Sequence, residues 1–290
     1  MIKLENESLL VELTEQGAEL TRIYHKKTGL DYLWDAEKAF WGRHAPILFP
    51  TVGRLVDDTY YVDGEAFHLT QHGFARDKTF TAVELVGNQA ILELEADDKS
   101  KLIYPFSFRL RVTYTLLEDQ VQVEYQVENT DKERIYFSIG AHPAFNVPLT
   151  EGTKFEDYYL DFGQKEKLDT LLLEGPYRSG KLKPLADEKT ETLALDYSLF
   201  ENDALIFEGL NGNEIAIRSK KHPHFVKVSF PHFPFVGIWT PGDGAPFLCI
   251  EPWFGIADSI GESVELRDKA GIEHLDPEAI FTSEYSIQLG

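Results

Sequence analysis

A single cysteine, Cys249, leaves this chain unable to form an internal disulfide and makes a reducing compartment its expected setting. It follows Leu248 in an apolar run, the usual place of a small buried hydrophobe rather than a nucleophile. No apolar run approaches the length of a membrane span. The first residues, Met1-Ile2-Lys3-Leu4-Glu5-Asn6, lack the basic start, apolar stretch and cleavage site of a secretory signal, so a cytoplasmic location is expected. Basic residues are scarce: 28 Lys and Arg stand against 49 Asp and Glu, a net charge of −21. A surface so acidic repels phosphate backbones and anionic lipid, so neither nucleic acid nor membrane is an expected partner. There is no Gly-rich phosphate loop, nucleophile elbow or zinc-protease helix. Helical periodicity is almost missing too, with short turns at most over Leu195–Glu201 and after Asp276-Pro277.

What the chain does have is strands. With 43% hydrophobic residues in 290, it can bury a sizeable core. Thr59–Val62 and Glu65–Leu69 flank Asp63-Gly64, a strong hairpin signal because both turn positions tolerate positive φ. Phe80–Val86 and Gln89–Ala96 flank Gly87-Asn88, and Phe106–Leu116 returns through Glu118-Asp119 into Gln120–Glu128. In that last arm Val121, Val123, Tyr125 and Val127 alternate with polar residues, the two-residue period of a strand with one wet face. Further strands are expected up to Phe247–Ile250, leaving the sheet at Pro252, and at Tyr285–Leu289. Many short strands without a fixed repeat predict an all-β, large antiparallel sandwich over residues 1–290 as one domain. Residues 163–192, charged and weakly patterned, are expected to wander over the surface.

Three short motifs carry proton-handling side chains: Gln71-His72-Gly73-Phe74-Ala75-Arg76, Gly140-Ala141-His142-Pro143-Ala144-Phe145-Asn146 and Cys249-Ile250-Glu251-Pro252-Trp253. His142 lies among small residues that leave room beside its ring, and His72 precedes a glycine that permits close backbone approach. Each histidine alone is more often structural than functional. Glu251 is the sharper signal, because a carboxylate beside Trp253 is partly desolvated and gains general-base strength. Trp41, Trp239 and Trp253 offer ring faces on which the C–H faces of a sugar can pack, although each is also an ordinary core residue. Arg54 and Arg76 can each fork onto hydroxyls or phosphate, or simply pair with one of the many carboxylates. His222 and His224 share one face at strand spacing, but with His232 they read as a solvated turn rather than metal ligands.

Together with Ala45-Pro46-Ile47-Leu48-Phe49-Pro50, Gly53-Arg54 and Ala257-Asp258, these motifs resemble the aldose 1-epimerase (galactose mutarotase) family, specifically its LacX-type branch, over essentially the whole chain. The resemblance implies the β-supersandwich of the galactose mutarotase type. It implies Glu251 as general base, His142 as general acid, His72 as a second histidine at the sugar ring and Arg54 as a hydroxyl-binding arginine. The resemblance also implies a substrate-binding aspartate between the His142 and Glu251 motifs, for which Asp203 is the candidate by order along the chain alone. Arg76, Trp239 and Trp253 complete the expected binding set. Where the galactose enzymes have Ser and Tyr after the acid histidine, this chain has Pro143-Ala144-Phe145, a departure that bears on sugar choice rather than on the acid–base pair.

The implied reaction interconverts the α and β anomers of a hexose by ring opening and reclosure, with no metal or organic cofactor. Hexose 6-phosphate is the rival substrate, gripped by Arg43, Arg54 or Arg76; a non-catalytic carbohydrate-binding protein is the rival function. The chain is expected to be a monomer or homodimer. His142 and Glu251 are expected to face each other across a hexose-sized gap.

Overall fold

In a computed structural model, which describes every residue except Asp243 and Glu262, the chain is 50% strand and 7% helix. Its framework is a nine-stranded antiparallel sheet running, edge to edge, through Thr190–Ala194, Tyr158–Glu166, Glu214–Ser219, Val226–Ser229, Ile280–Leu289, Gln120–Asn129, Phe108–Leu117, Gln89–Glu95 and Thr81–Val86. The alternation seen in the sequence decides its faces. Phe108, Leu110, Val112, Tyr114 and Leu116 point inward from one strand, and Val121, Val123, Tyr125 and Val127 from the next.

A second sheet packs its inner face into the same core, through Ile139, Val236, Ile238, Leu248 and Ile250. Its strands run Leu205–Glu208, Phe235–Trp239, Phe247–Phe254, Ile139–Ala141 and Ile47–Leu48, with Ala144–Asn146 also paired to Phe247–Phe254. This is the expected all-β antiparallel sandwich. A four-stranded sheet formed by residues 2–31 and three two-stranded hairpins or pairs complete it. Among the described residues no helix is long and apolar enough to cross a membrane.

Several expected boundaries move. The strand from Phe247 does not leave the sheet at Pro252 but continues to Phe254, buried throughout. On one flank its partners are Ala144–Asn146 for residues 247–249 and Ile139-Gly140 for residues 253–254. Pro252 therefore falls beside the break at His142-Pro143, where a missing ladder donor costs least. The expected strand Ile135–Ile139 divides into Ile135–Phe137 and Ile139–Ala141, which pair with different neighbours. Residues 163–192 are more ordered than their pattern suggests. They extend one strand to Glu166 and form the hairpin Asp169–Glu174/Tyr177–Pro184, whose second strand is mostly exposed and so needs no apolar alternation. Tyr197–Phe200 forms the expected short helical turn, whereas Asp276-Pro277 leads directly into the strand Ile280–Leu289.

Candidate active site

The strand Phe247–Phe254 is buried on both faces, and its two-residue period divides its duties. Leu248 and Ile250 enter the main core, while Phe247 and Cys249 join an aromatic cluster with Trp34, Trp41 and Trp239. Glu251 and Trp253, on that second face, line a cavity of about 370 Å³. That volume is in the range of small-ligand sites. His142 sits where the neighbouring chain leaves the sheet between Ala141 and Ala144, and so lies beside Glu251.

The expected hexose-sized gap is not there. His142 Nε2 lies 3.2 Å from Glu251 Oε2, with the histidine 7% and the glutamate 1% exposed. Burial pushes the imidazole down to about 3, and burial together with the nearby Asp203 charge raises the Glu251 carboxyl well above its usual range. Both shifts favour uncharged forms, so the resting pair holds one proton between carboxyl and imidazole. Trp41 stacks on the His142 ring at 4.7 Å and Trp239 meets it edge-on at 5.5 Å. Trp41 reaches the cavity from an exposed loop pinned by the Trp34 indole N–H, which donates to the Trp41 carbonyl at 2.9 Å.

His72 is held differently. Its φ of +69° and that of Gly73 make a left-handed corner, and a side chain at position 73 would meet the Phe49 carbonyl oxygen at 2.3 Å. The corner brings His72 to Gly53, whose N–H donates to Nδ1 at 3.1 Å. That contact assigns the remaining proton to Nε2. Burial and the neighbouring His142 push its pKa well down, so a neutral ring is left with one donor to offer. The His72 and His142 rings meet edge-on at 5.7 Å.

Arg54, Arg76, Asp203, Trp239 and Trp253 also line this cavity, so all eight sequence-derived site residues meet there. Arg54 is engaged with Asp58, donating from Nη2 to Oδ2 at 2.9 Å. Arg76 donates to the Gln71 carbonyl at 2.5 Å, and its nearest ion-pair oxygen, on Asp77, is 3.9 Å away. Arg43 pairs with Asp77 at 2.8 Å and does not line the cavity. Asp203 sits exposed in a turn at φ +75°, its Oδ1 accepting from Ala204 N–H.

Sequence reasoning missed Leu173 and Pro176, which reach the cavity from the hairpin tip, and Ile256 and Val52 beside them. The triplet Leu171-Leu172-Leu173 before Gly175-Pro176, inside a charged stretch, was the available signal. A buried clamp fixes the exit of the long strand: Lys269 Nζ donates to Asp258 Oδ1 at 2.7 Å and to the Ile256 carbonyl, while Asp258 Oδ2 accepts from Val56 N–H at 3.0 Å. His222 bonds to Tyr158 Oη at 2.8 Å, with His224 stacked obliquely against it, a hydrogen-bonded turn rather than a free one. Cys249, His142 and Glu251 bring donor atoms within 4.8 Å, but burial pushes the thiol well above its usual range, so the thiolate a metal ion requires is disfavoured.

The chain matches the aldose 1-epimerase family model over residues 1–266. It belongs to the aldose 1-epimerase family. The chromosomal LacX protein of Lactococcus lactis subsp. lactis is 36% identical over 99% of both chains. A galactose mutarotase related enzyme from Lactobacillus acidophilus superposes with a TM-score of 0.94 at 33% identity, covering 100% of this chain and 97% of that one. A galactose mutarotase-like protein from Lactobacillus casei gives 0.93 at 30% identity, with both chains covered completely. The chain thus has the fold of these galactose mutarotase-like neighbours, and membership of the family supports a mutarotase-like function.

Proposed function

We propose that the chain is an aldose 1-epimerase that interconverts the α and β anomers of an uncharged hexose through Glu251 and His142. The observation that carries this reading is their 3.2 Å contact on the cavity floor. Ring opening removes a proton from the C1 hydroxyl and adds one to the ring oxygen. Both oxygens are bonded to the same carbon, so two neighbouring groups can serve them without facing each other across the sugar. With the shared proton passed to His142, the Glu251 carboxylate takes the hydroxyl proton as the imidazolium gives one to the ring oxygen, and the C1–O5 bond breaks. Rotation about C1–C2 and reclosure with the roles reversed deliver the other anomer. The pair ends with the number of protons it began with, so a buried one-proton pair suffices. Stacking of Trp41 supports the imidazolium form that delivers the proton. His72, neutral with its Nε2–H available, is suited to a sugar oxygen.

The charge of the site favours a free sugar over a sugar phosphate. Arg54 is already neutralised by Asp58, Arg43 lies outside the lining, and Asp203 sets a negative charge in the cavity against Arg76, the one lining arginine without a close carboxylate among the described residues. Polarimetry or NMR exchange on α-glucose and α-galactose tests the reading directly, with glucose 6-phosphate as the comparison. Acceleration of the free sugars is expected. Faster turnover of the phosphate transfers the assignment to a hexose-6-phosphate epimerase. No acceleration of either leaves a carbohydrate-binding protein.

A further inference from the structure

Trp253 is held in an unusual bed. On one flank its register partner is Gly140 in the strand Ile139–Ala141; on the other its partner is Phe235, and the indole reaches along that strand over Gly237. A methyl group at position 140 would lie 2.6 Å from the indole Cδ1, and one at position 237 would lie 2.3 Å from Cη2 and 2.5 Å from Cζ2. The indole therefore lies flat across three strands, in space that no other residue would leave. The contacts run the length of the ring, from Cδ1 beside Nε1 to Cη2 at the far end, so the indole is held in one orientation. Two residues back on the same face is Glu251, whose register partner is Gly237 itself.

Among the described residues, Nε1 of Trp253 is buried without a hydrogen-bond partner of good geometry. Leaving such a donor idle costs as much as a lost hydrogen bond, which an indole cradled this tightly would avoid if it served packing alone. Within the mutarotase reading, we infer that Trp253 is a positioning residue whose N–H receives the Glu251 carboxylate when that group carries its charge. At rest that bond is not made, and a Glu251 carboxyl oxygen lies instead 3.2 Å from His142 Nε2. The indole already acts on Glu251 in the direction that favours its charged form, against burial and Asp203. Trp253 thus makes the ionic arrangement of the pair, carboxylate beside imidazolium, accessible within a dry floor.

The other charged and titratable groups around Glu251 are His142, Cys249, Asp203, His72, Arg54 and Arg76. They are left in place by replacing Trp253 with β-(3-benzothienyl)alanine, which keeps the ring volume and deletes the N–H. Expected is a roughly tenfold fall in kcat with KM within about twofold. The alkaline limb of kcat/KM, together with the carbon-13 titration of the Glu251 carboxyl, should move up by about one pH unit, since a donor to the charged form has been lost. W253F should show the same direction, and Gly237→Ala, which displaces the ring, should reproduce the shift with the N–H still present.

An unmoved alkaline limb and an unmoved carboxyl titration in the benzothienyl protein would overturn the inference. So would a loss of kcat accompanied by an equal rise in KM. If the wild-type protein accelerates no anomer exchange, the functional reading fails, yet the carboxyl titration still reports on Trp253 alone.

Discussion

The cavity floor takes Glu251 and Trp253 from a strand whose eight residues are all buried, whereas the rim takes Asp203 from an exposed turn and Leu173 and Pro176 from an outlying hairpin. The floor is locked by ladders on two flanks and by packing on both faces. Among the described residues, hydrogen bonds tie the hairpin of the rim at two places only, by the bond from Ile206 N–H to Thr170 Oγ1 and by the bonds of Arg178 to residues 257–260. Proton transfer tolerates errors of a fraction of an ångström, which a sheet can guarantee. Choice among sugars requires only a wall and a few polar groups, and these can sit on adaptable segments. On this division, floor changes act on kcat and rim changes on KM.

The floor supplies the largest expected effect. Glu251→Gln keeps the shape and removes the base, and should lower kcat by roughly 10²–10⁴-fold while sugar binding by calorimetry stays largely intact. His142→Asn should fall in the same range. Near-normal turnover in the glutamine variant would remove the base assignment and with it the functional contrast between floor and rim.

Next comes the clamp beneath the floor. Lys269 and Asp258 have side chains 1% and 6% exposed, so Lys269→Met leaves a buried carboxylate without its partner. A loss of about 3–5 kcal/mol in urea unfolding is expected, as for other buried pairs broken on one side. Adding Asp258→Asn should restore part of it. A loss below about 1 kcal/mol would show that the strand exit is held by its packing instead.

Trp41 joins the two regions, since an exposed loop delivers it onto the acid of the floor. Trp41→Leu removes the ring face from the imidazolium and should lower kcat by about three- to tenfold, with Trp41→Phe recovering most of it. Equal losses in both variants would make Trp41 a space-filler rather than a support for His142.

The same division explains what was legible in the sequence. Strands with one wet face announced themselves by alternation, as Val121, Val123, Tyr125 and Val127 did, and the Asp63-Gly64 turn sits in positive φ as its chemistry required. The strand Phe247–Phe254 was underestimated because burial on both faces erases alternation, and because Pro252 looks like a terminator until the break at His142-Pro143 is seen beside it. The gathering of His72, His142 and Glu251 into one cavity followed from family resemblance, but their spacing did not. The contact between His142 and Glu251 arises from register between strands more than a hundred residues apart, and no local pattern encodes that register. Trp41 was legible as a ring face near the motifs, but its stacking on His142 was not, and Leu173 was marked only by the apolar triplet it ends.

Leu173 gives the finest test of the comparison. It lines the cavity from the end of the strand Asp169–Glu174, on the same face as Leu171, and packs with it against the cluster that holds Val52, Trp253 and Ile256. It touches neither Glu251 nor His142 through any hydrogen bond or charge, so Leu173→Ala changes the apolar wall and leaves the proton pair alone. Losing a few methylene contacts with a bound sugar is worth about 1–2 kcal/mol at most, so KM should rise by roughly three- to tenfold with kcat held within twofold. Steady-state mutarotation across a range of sugar concentrations separates the two constants. A drop in kcat with KM unchanged would mean that the hairpin tip helps assemble the floor, and the separation of chemistry from selection would no longer describe this cavity.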